Sequence, residues 1–517
     1  MAQIGTCFAL GMVGLKGHLI KVEAHHTQGL PAFALVGLPD ASLRESRSRV
    51  EAAIASTGLR WEPTRLTVNL SPAELPKTGS GFDLPIALAV VASRVATVQK
   101  LCEGMVFCGE LGLDGRIYRV RGILPLVLAA RRAGFKKVMV ATEAVPEASL
   151  IEGIEIVGVS HLVEALHYLG MRKMKDRVEQ LKKLNNTVAP SSVPVMPASE
   201  PPDLQEVKGA FLARKALEIA AAGGHHLSFI GVPGAGKTML ASCLPGILPP
   251  LADEEALEVT SIHSLAGTFA PSQGLIRRPP FIAPHHSATL PALIGGGSGI
   301  ATPGAISLAH RGVLFLDEAP EFQTRSLDAL RQPLETSKIT VHRSRAVTSY
   351  PAAFQLVIAA NPCPCGMWGQ AEGECKCTPY QRVRYLARLS GPLMDRIDLQ
   401  CQVGRPKIAD LTATDSPESS SAVRERVLQA RERARKRWKD QLVSLNARIP
   451  SRILKFALDS ATKDRLNHLV GSGRISMRGA DRICRVAWTI ADLNGRDKPI
   501  GEDFGLAYSL RTSNGTY

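Results

Sequence analysis

Gly231-Val232-Pro233-Gly234-Ala235-Gly236-Lys237-Thr238 decides the fold of this chain. The octapeptide reads G-x-x-x-x-G-K-T, and its surroundings suit its chemistry. The apolar run Leu227-Ser228-Phe229-Ile230 leads in as a buried strand, and Met239-Leu240-Ala241 leads out as a helix start. Glycines at this point let successive backbone N–H groups converge on a phosphate, with a helix N-terminus behind them. Lys237 is placed to reach the β- and γ-phosphates, and the Thr238 hydroxyl to ligate Mg²⁺. The pattern predicts an α/β domain that binds ATP and Mg²⁺.

The rest of a nucleotide site follows in chain order. Val313-Leu314-Phe315-Leu316 is an apolar strand that ends in Asp317 and Glu318. Asp317 is expected to share the Mg²⁺ with Thr238, and Glu318 to polarise the attacking water. Leu356-Val357-Ile358-Ala359-Ala360 is a third strand, ending at Asn361, a neutral group suited to orienting that water. Such catalysis is mainly positioning and charge neutralisation. Further on, Leu389 to Asp398 frames Arg396 with acids, as an arginine aimed at a neighbouring subunit's γ-phosphate would be. Ser476-Met477-Arg478 opens a helix running through Arg482, Arg485 and Trp488, from which Arg478 can contact nucleotide as part of a lid. Lys237, Glu318, Asn361, Arg396 and Arg478 are the catalytic candidates.

The 517 residues divide into three blocks around this centre. Residues 1–170 mix short strands (Phe33 to Val36, Leu66 to Leu70) with helices (Ser42 to Ser56, Asp83 to Ala96). Residues 171–202 read as a linker: six Lys/Arg against two acids from Met171 to Asn186, then a Pro/Ser-rich run. Residues 203–405 alternate strands and helices, the pattern of a parallel sheet. Residues 406–517 are mainly helical and include a basic helix from Arg424 to Lys439.

Net charge is +15, which favours a polyanionic partner, nucleic acid before acidic membrane. Placement says more than the total. Val259 to Leu316 contains no Asp or Glu but carries three arginines and four histidines. No apolar run approaches the ~18 residues of a membrane span, and Met1 to Gly5 lacks the basic start of an export signal. A cytoplasmic protein with reduced thiols is therefore expected. Four of the ten cysteines, Cys363, Cys365, Cys375 and Cys377, form two C-x-C pairs in a glycine-rich loop. They can make a tetrahedral Zn²⁺ site or simply a reduced thiol loop.

The chain resembles the ComM/YifB family of magnesium-chelatase-like AAA+ ATPases. The stretches that carry the resemblance are Val36 to Asp40, Gly79 to Pro85, Ala283-Pro284-His285-His286-Ser287, Leu314 to Phe322, Asn361 to Gly366 and Leu389 to Leu399. The resemblance implies a P-loop NTPase core with a helical lid and assembly into a hexameric ring. It also implies a DNA helicase that drives branch migration in homologous recombination, as in competence proteins. By it, Asn361 is sensor 1, Arg396 the arginine finger and Arg478 sensor 2. Two segments would face the pore: the insert Pro284 to Ile306, with its glycines at 295–297 and 299, and the hairpin Ile339 to Arg345. Alternation puts Val341, Arg343 and Arg345 on one face of that hairpin. With His342, these arginines are expected to grip single-stranded, forked or branched DNA without reading its sequence.

The first block resembles a Lon-protease-like domain of the ribosomal S5 domain 2-like fold. Proteolysis needs a serine nucleophile and a lysine base. Gly81 stands at the serine's place and Leu126 at the lysine's, with Ser80 one residue off, so no dyad is expected. Three other readings remain: a chelatase-type motor acting on a protein partner, a protein unfoldase, and a nucleotide-dependent scaffold. The Lon-like block argues against the chelatase if chelatase motors resemble only the later blocks. The lack of an aromatic in Gly295 to Ile300 argues against the unfoldase.

Overall fold

The structure is a computed structural model. It describes residues 4–37, 41–61, 64–77, 79–185, 200–296, 302–342, 347–369, 375–405, 417–441, 443–456 and 460–512. The first unit is built on a mixed seven-stranded sheet of β1 (Gly5–Val13), β2 (Lys16–Thr27), β3 (Ala32–Val36), β4 (Arg65–Ser71), β5 (Met105–Phe107), β6 (Lys137–Ala141) and β7 (Glu155–Val159). Their spatial order is β3-β4-β2-β1-β5-β6-β7. β4 shows why these residues form strands: Leu66, Val68 and Leu70 alternate inward, the two-residue period of a half-buried strand.

α1 (Ala41–Ser56) lies where the sequence placed it. The single helix expected over Asp83 to Ala96 is instead two, α2 (Asp83–Ala92) and α3 (Ala96–Cys102). The Ser93 hydroxyl donates to the Val90 carbonyl at 2.7 Å, and Val95 turns extended at φ −124°. A local side-chain bond and a β-branched residue thus interrupt an otherwise continuous apolar pattern.

The linker expectation also needs correction. After α4 (Ile123–Arg132), the chain forms α5 (Lys175–Asn185), which is part of the first unit. Met174, Val178 and Leu181 pack against the first unit's core, and Arg177 donates to the Ser56 carbonyl at 3.1 Å. The basic residues dominate that segment's composition and hide an apolar stripe at helical spacing. The Pro/Ser run up to residue 199 lies outside the described residues.

The second unit carries a five-stranded parallel sheet of β8 (Leu227–Gly231), β9 (Phe281–Ile282), β10 (Val313–Leu316), β13 (Gln355–Ala360) and β14 (Leu399–Val403), in spatial order β9-β10-β13-β8-β14. Between β10 and β13 the chain makes an antiparallel hairpin of β11 (Lys338–His342) and β12 (Val347–Pro351). Every residue of β8, β10 and β13 is buried. Such unbroken burial is what a parallel sheet covered on both faces demands.

Helices α6 (Phe211–Gly223), α7 (Lys237–Ile247), α10 (Ser420–Arg437) and α11 (Met477–Leu493) share one core with this sheet. In α10, Val423, Val427, Ala430 and Ala434 face inward and Arg424 and Arg435 are exposed, while Arg431, Arg433 and Arg437 bond back to Ala221 and Asp492. The first unit docks on the second through α4 against α8 (Asp253–Ala266). Glu147 is fully buried at that junction; it accepts from the Leu124 N–H at 3.1 Å, from Arg119 and from the Ser264 hydroxyl. Leu15, in the β1–β2 turn, packs against the core cluster that contains the β11–β12 hairpin. No described helix is long and apolar enough to cross a membrane.

Candidate nucleotide site

The phosphate loop leaves the sheet at Gly231. A Cβ there would stand 2.1 Å from the Val403 carbonyl oxygen, so the neighbouring strand admits only glycine. Gly234 and Gly236 have φ of 77° and 82° with open space around them. They are needed for conformation, not for room. Gly236 caps α7, which opens at Lys237.

Three strand ends converge on Lys237. Its Nζ donates to the Gly231 and Val232 carbonyls at 2.7 and 3.0 Å and to Asn361 Oδ1 at 3.2 Å. Burial pulls the ammonium below its ordinary 10.5, while Asp317 and Glu318 act in the opposite direction. The Thr238 hydroxyl donates to Asp317 Oδ2 at 2.7 Å. This pairing of hydroxyl and carboxylate oxygens is a hard donor set that fits Mg²⁺. The other Asp317 oxygen accepts the Glu318 backbone N–H at 2.9 Å. Glu318 has φ of 48°, a left-handed backbone that a non-glycine residue adopts at a cost. Lys237, Thr238, Asp317, Glu318 and Asn361, scattered over 125 positions, are thus gathered at one edge of the sheet.

Two further features of this edge escaped sequence reasoning. His286 Nδ1 lies 3.3 Å from Glu318 Oε2, and its ring centroid is 4.1 Å from that of His285. The resemblance placed Pro284 to Ile306 at a ring pore; within the chain, His286 of that segment stands beside Glu318 instead. The second is a contact across the loop: a Cβ on Gly366 would lie 2.7 Å from Pro233 Cδ. The cysteine loop therefore packs on the phosphate loop. The sulfurs of Cys363, Cys365, Cys375 and Cys377 all lie within 4.8 Å of one another.

Arg396 and Arg478 are not brought to this edge. β8 and β14 run parallel, Leu227 beside Leu399 and Gly231 beside Val403. Arg396 precedes Leu399, so a full strand length, about 13 Å, separates its end of the sheet from the phosphate loop. Its guanidinium donates to Glu335 and to the Pro392 carbonyl. Arg478 sits at the same far edge, 3.5 Å from Asp395 and largely exposed. The expectation that Arg478 reaches the nucleotide from a lid does not hold within one protomer.

The far edge carries a buried polar network instead. Asp398 accepts the His226 backbone N–H at 3.1 Å and also pairs with Arg482. Burial alone would raise its carboxyl, but Arg482, His225 and His226 outweigh this and hold it well below the usual range. His225 Nε2 lies 2.7 Å from the Thr489 hydroxyl, and Asn446 continues the chain to Thr489 and Asp492. This network fastens the lid helix α11 to the start of the sheet.

Of the expected DNA contacts, His342 is exposed at the end of β11. Val341 is 4% exposed and faces the core beside Ile339, so it belongs to no outward gripping face. Arg343 and Arg345 lie outside the described residues, as do 297–301 of the glycine insert. In the first unit the Ser80 hydroxyl donates to Glu110, and Leu126 is buried in the core.

The sheet order, phosphate loop, acidic strand end and attached helical lid define an AAA+ nucleotide-binding core. Family models described as "Magnesium chelatase, subunit ChlI", "Subunit ChlI of Mg-chelatase" and "Magnesium chelatase, subunit ChlI C-terminal" match residues 203–411, 22–144 and 417–511. An uncharacterised protein of Mycobacterium tuberculosis is 46% identical over 511 residues, 98% of either chain. The uncharacterised protein YifB of Escherichia coli is 41% identical over 490 residues, 94% of this chain and 92% of its own. The competence protein ComM of Haemophilus influenzae is 39% identical over 500 residues, 96% and 95% of the two chains. The chain belongs to the ComM/YifB family of magnesium-chelatase-like AAA+ proteins. A shorter likeness, 28% over 149 residues, links it to the Lon protease of Mycolicibacterium smegmatis, in keeping with a Lon-like first unit. The model that matches residues 22–144 also carries a chelatase-subunit description.

Proposed function

We propose that this chain is a Mg-ATP-driven ring motor, a hexamer, that moves along DNA and remodels branched recombination intermediates. The observation that carries the reading is the convergence of Lys237, Thr238, Asp317, Glu318 and Asn361 on one edge of the sheet, with Arg396 held at the other. A site whose charge-neutralising arginine sits a strand length away is completed by an adjacent protomer, which couples hydrolysis to assembly. Thr238 and Asp317 would hold the Mg²⁺, which supplies charge neutralisation between phosphates. Glu318, fixed in its strained backbone, would take the proton of the attacking water, and Asn361 would orient that water.

DNA as track is supported by the net charge of +15, by the acid-free stretch from Val259 to Leu316 and by the family's competence protein. His342, Arg343 and Arg345 are the proposed contacts. The test is ATP turnover with and without forked or single-stranded DNA. Stimulation by DNA is expected; turnover indifferent to every DNA form would overturn the reading. A second reading, a chelatase-type motor that remodels a protein partner, is favoured by the three chelatase models and would show that indifference.

A further inference from the structure

We propose that Cys363, Cys365, Cys375 and Cys377 bind one Zn²⁺ ion and that the bound ion seats the phosphate loop. The inference rests on residues 231–238 being the nucleotide site, since it says what holds that site in shape.

The sulfurs have the spacing of a metal cage. Cys363 and Cys365 are 3.3 Å apart, and Cys375 is 3.7 Å from each. Four thiolates ~2.3 Å from a tetrahedral zinc would be about 3.8 Å from one another. A disulfide would draw two of them to ~2.05 Å, and all ten cysteines of the chain are free. An all-sulfur tetrahedral set selects zinc over hard cations such as Mg²⁺.

Three contacts join this cage to the nucleotide edge. Gly366, at φ 78°, lies against Pro233 in the phosphate loop so closely that a Cβ would collide. Asn361, the partner of Lys237, stands two residues before the first ligand. After the last ligand, Thr378 caps α9 (Pro379–Leu386). Arg388, just beyond α9, donates to the Pro320 carbonyl at 3.2 Å and to Glu321 at 3.1 Å, in the turn that follows Glu318. One ion would therefore tie together the end of β13, the phosphate loop and the turn that carries Glu318. A metal cross-link between the 363–365 pair and the 375–377 pair would lower the entropic cost of holding the two pairs together in this packing.

The experiment uses the full chain purified without chelators. Metal content is measured by mass spectrometry, and backbone hydrogen exchange at residues 234–236 is followed before and after treatment with a chelator selective for zinc over magnesium. The expected result is about one zinc per chain. Exchange in the loop should run about tenfold faster once zinc is removed and slow again on its return. The double variant Cys365→Ser/Cys375→Ser should lack zinc and exchange fast from the outset. Gly366→Val should keep zinc yet exchange faster, which separates the packing from the metal. Absence of zinc, iron in its place, or zinc whose removal leaves loop exchange unchanged would overturn the proposal. Affinity for an ATP analogue is measured in parallel. If zinc controls loop exchange while neither form binds nucleotide, the metal site stands and the nucleotide reading falls.

Discussion

The two ends of the five-stranded sheet differ in what holds them together. At the phosphate-loop end, the functional groups bond to residues on neighbouring strand ends: Lys237 to Asn361, Thr238 to Asp317. At the opposite end, Asp398 and His225 bond to residues of the lid, Arg482 and Thr489. The first end makes a site within one chain. The second makes a rigid mount that leaves Arg478 exposed and holds Arg396 against Glu335 and the Pro392 carbonyl. On the proposed reading, the arginine at the second end serves a neighbour's nucleotide.

The largest effect expected is at the first end. Lys237→Ala should reduce ATP turnover to background, and Glu318→Gln should leave ATP bound with hydrolysis slowed by ~10²–10³-fold; retained turnover in either would break the assignment. Next is Arg396→Ala. It should lose about 10³-fold in turnover while binding an ATP analogue as the unaltered protein does, because the residue does not touch its own loop. Weakened binding to match would place it in the same site as Lys237 and erase the distinction between the ends.

Arg482→Ala tests the mount. It leaves Asp398 buried without its strongest partner, and removing one member of a buried pair costs about 3–5 kcal/mol. A denaturant titration should show that loss, and a neutral result would mean that the lid is held by apolar packing alone. The smallest effect concerns pH. Burial pulls His226 from 6.5 down to about 4, and its Nδ1 accepts the Leu356 N–H at 3.0 Å. The unfolded chain therefore binds the proton more readily than the folded one between those values, so stability rises with pH across that window. The unfolding midpoint should fall as pH drops from about 6.5 to about 4, and His226→Asn should flatten the slope.

These two ends were not equally legible in the sequence. The phosphate loop, the strand ending in Asp317 and the strand ending in Asn361 are local signals in which the chemistry and the element that carries it are adjacent residues. β3, β4, α1 and α10 followed from local rules of the same kind. The far end was unreadable because its partners are up to 264 residues apart, as His225 and Thr489 are. No periodicity announces such a pair. The misplaced lid role of Arg478 has the same origin: its motif was visible, but its position depends on how α11 is fastened to the sheet. Composition misled at α5, where charge masked an apolar stripe, and motif reading alone could not reveal that Gly366 rests on Pro233.

The central claim is that one triphosphate is served by two protomers. Lys237→Ala and Arg396→Ala proteins, each inactive, should be mixed in equal amounts and their ATP turnover measured. Random assembly pairs an intact loop with an intact arginine at about one interface in four of a head-to-tail ring, so the account predicts turnover recovering toward a quarter of the unaltered value. A mixture that assembles into mixed rings yet stays as inactive as either component would contradict it.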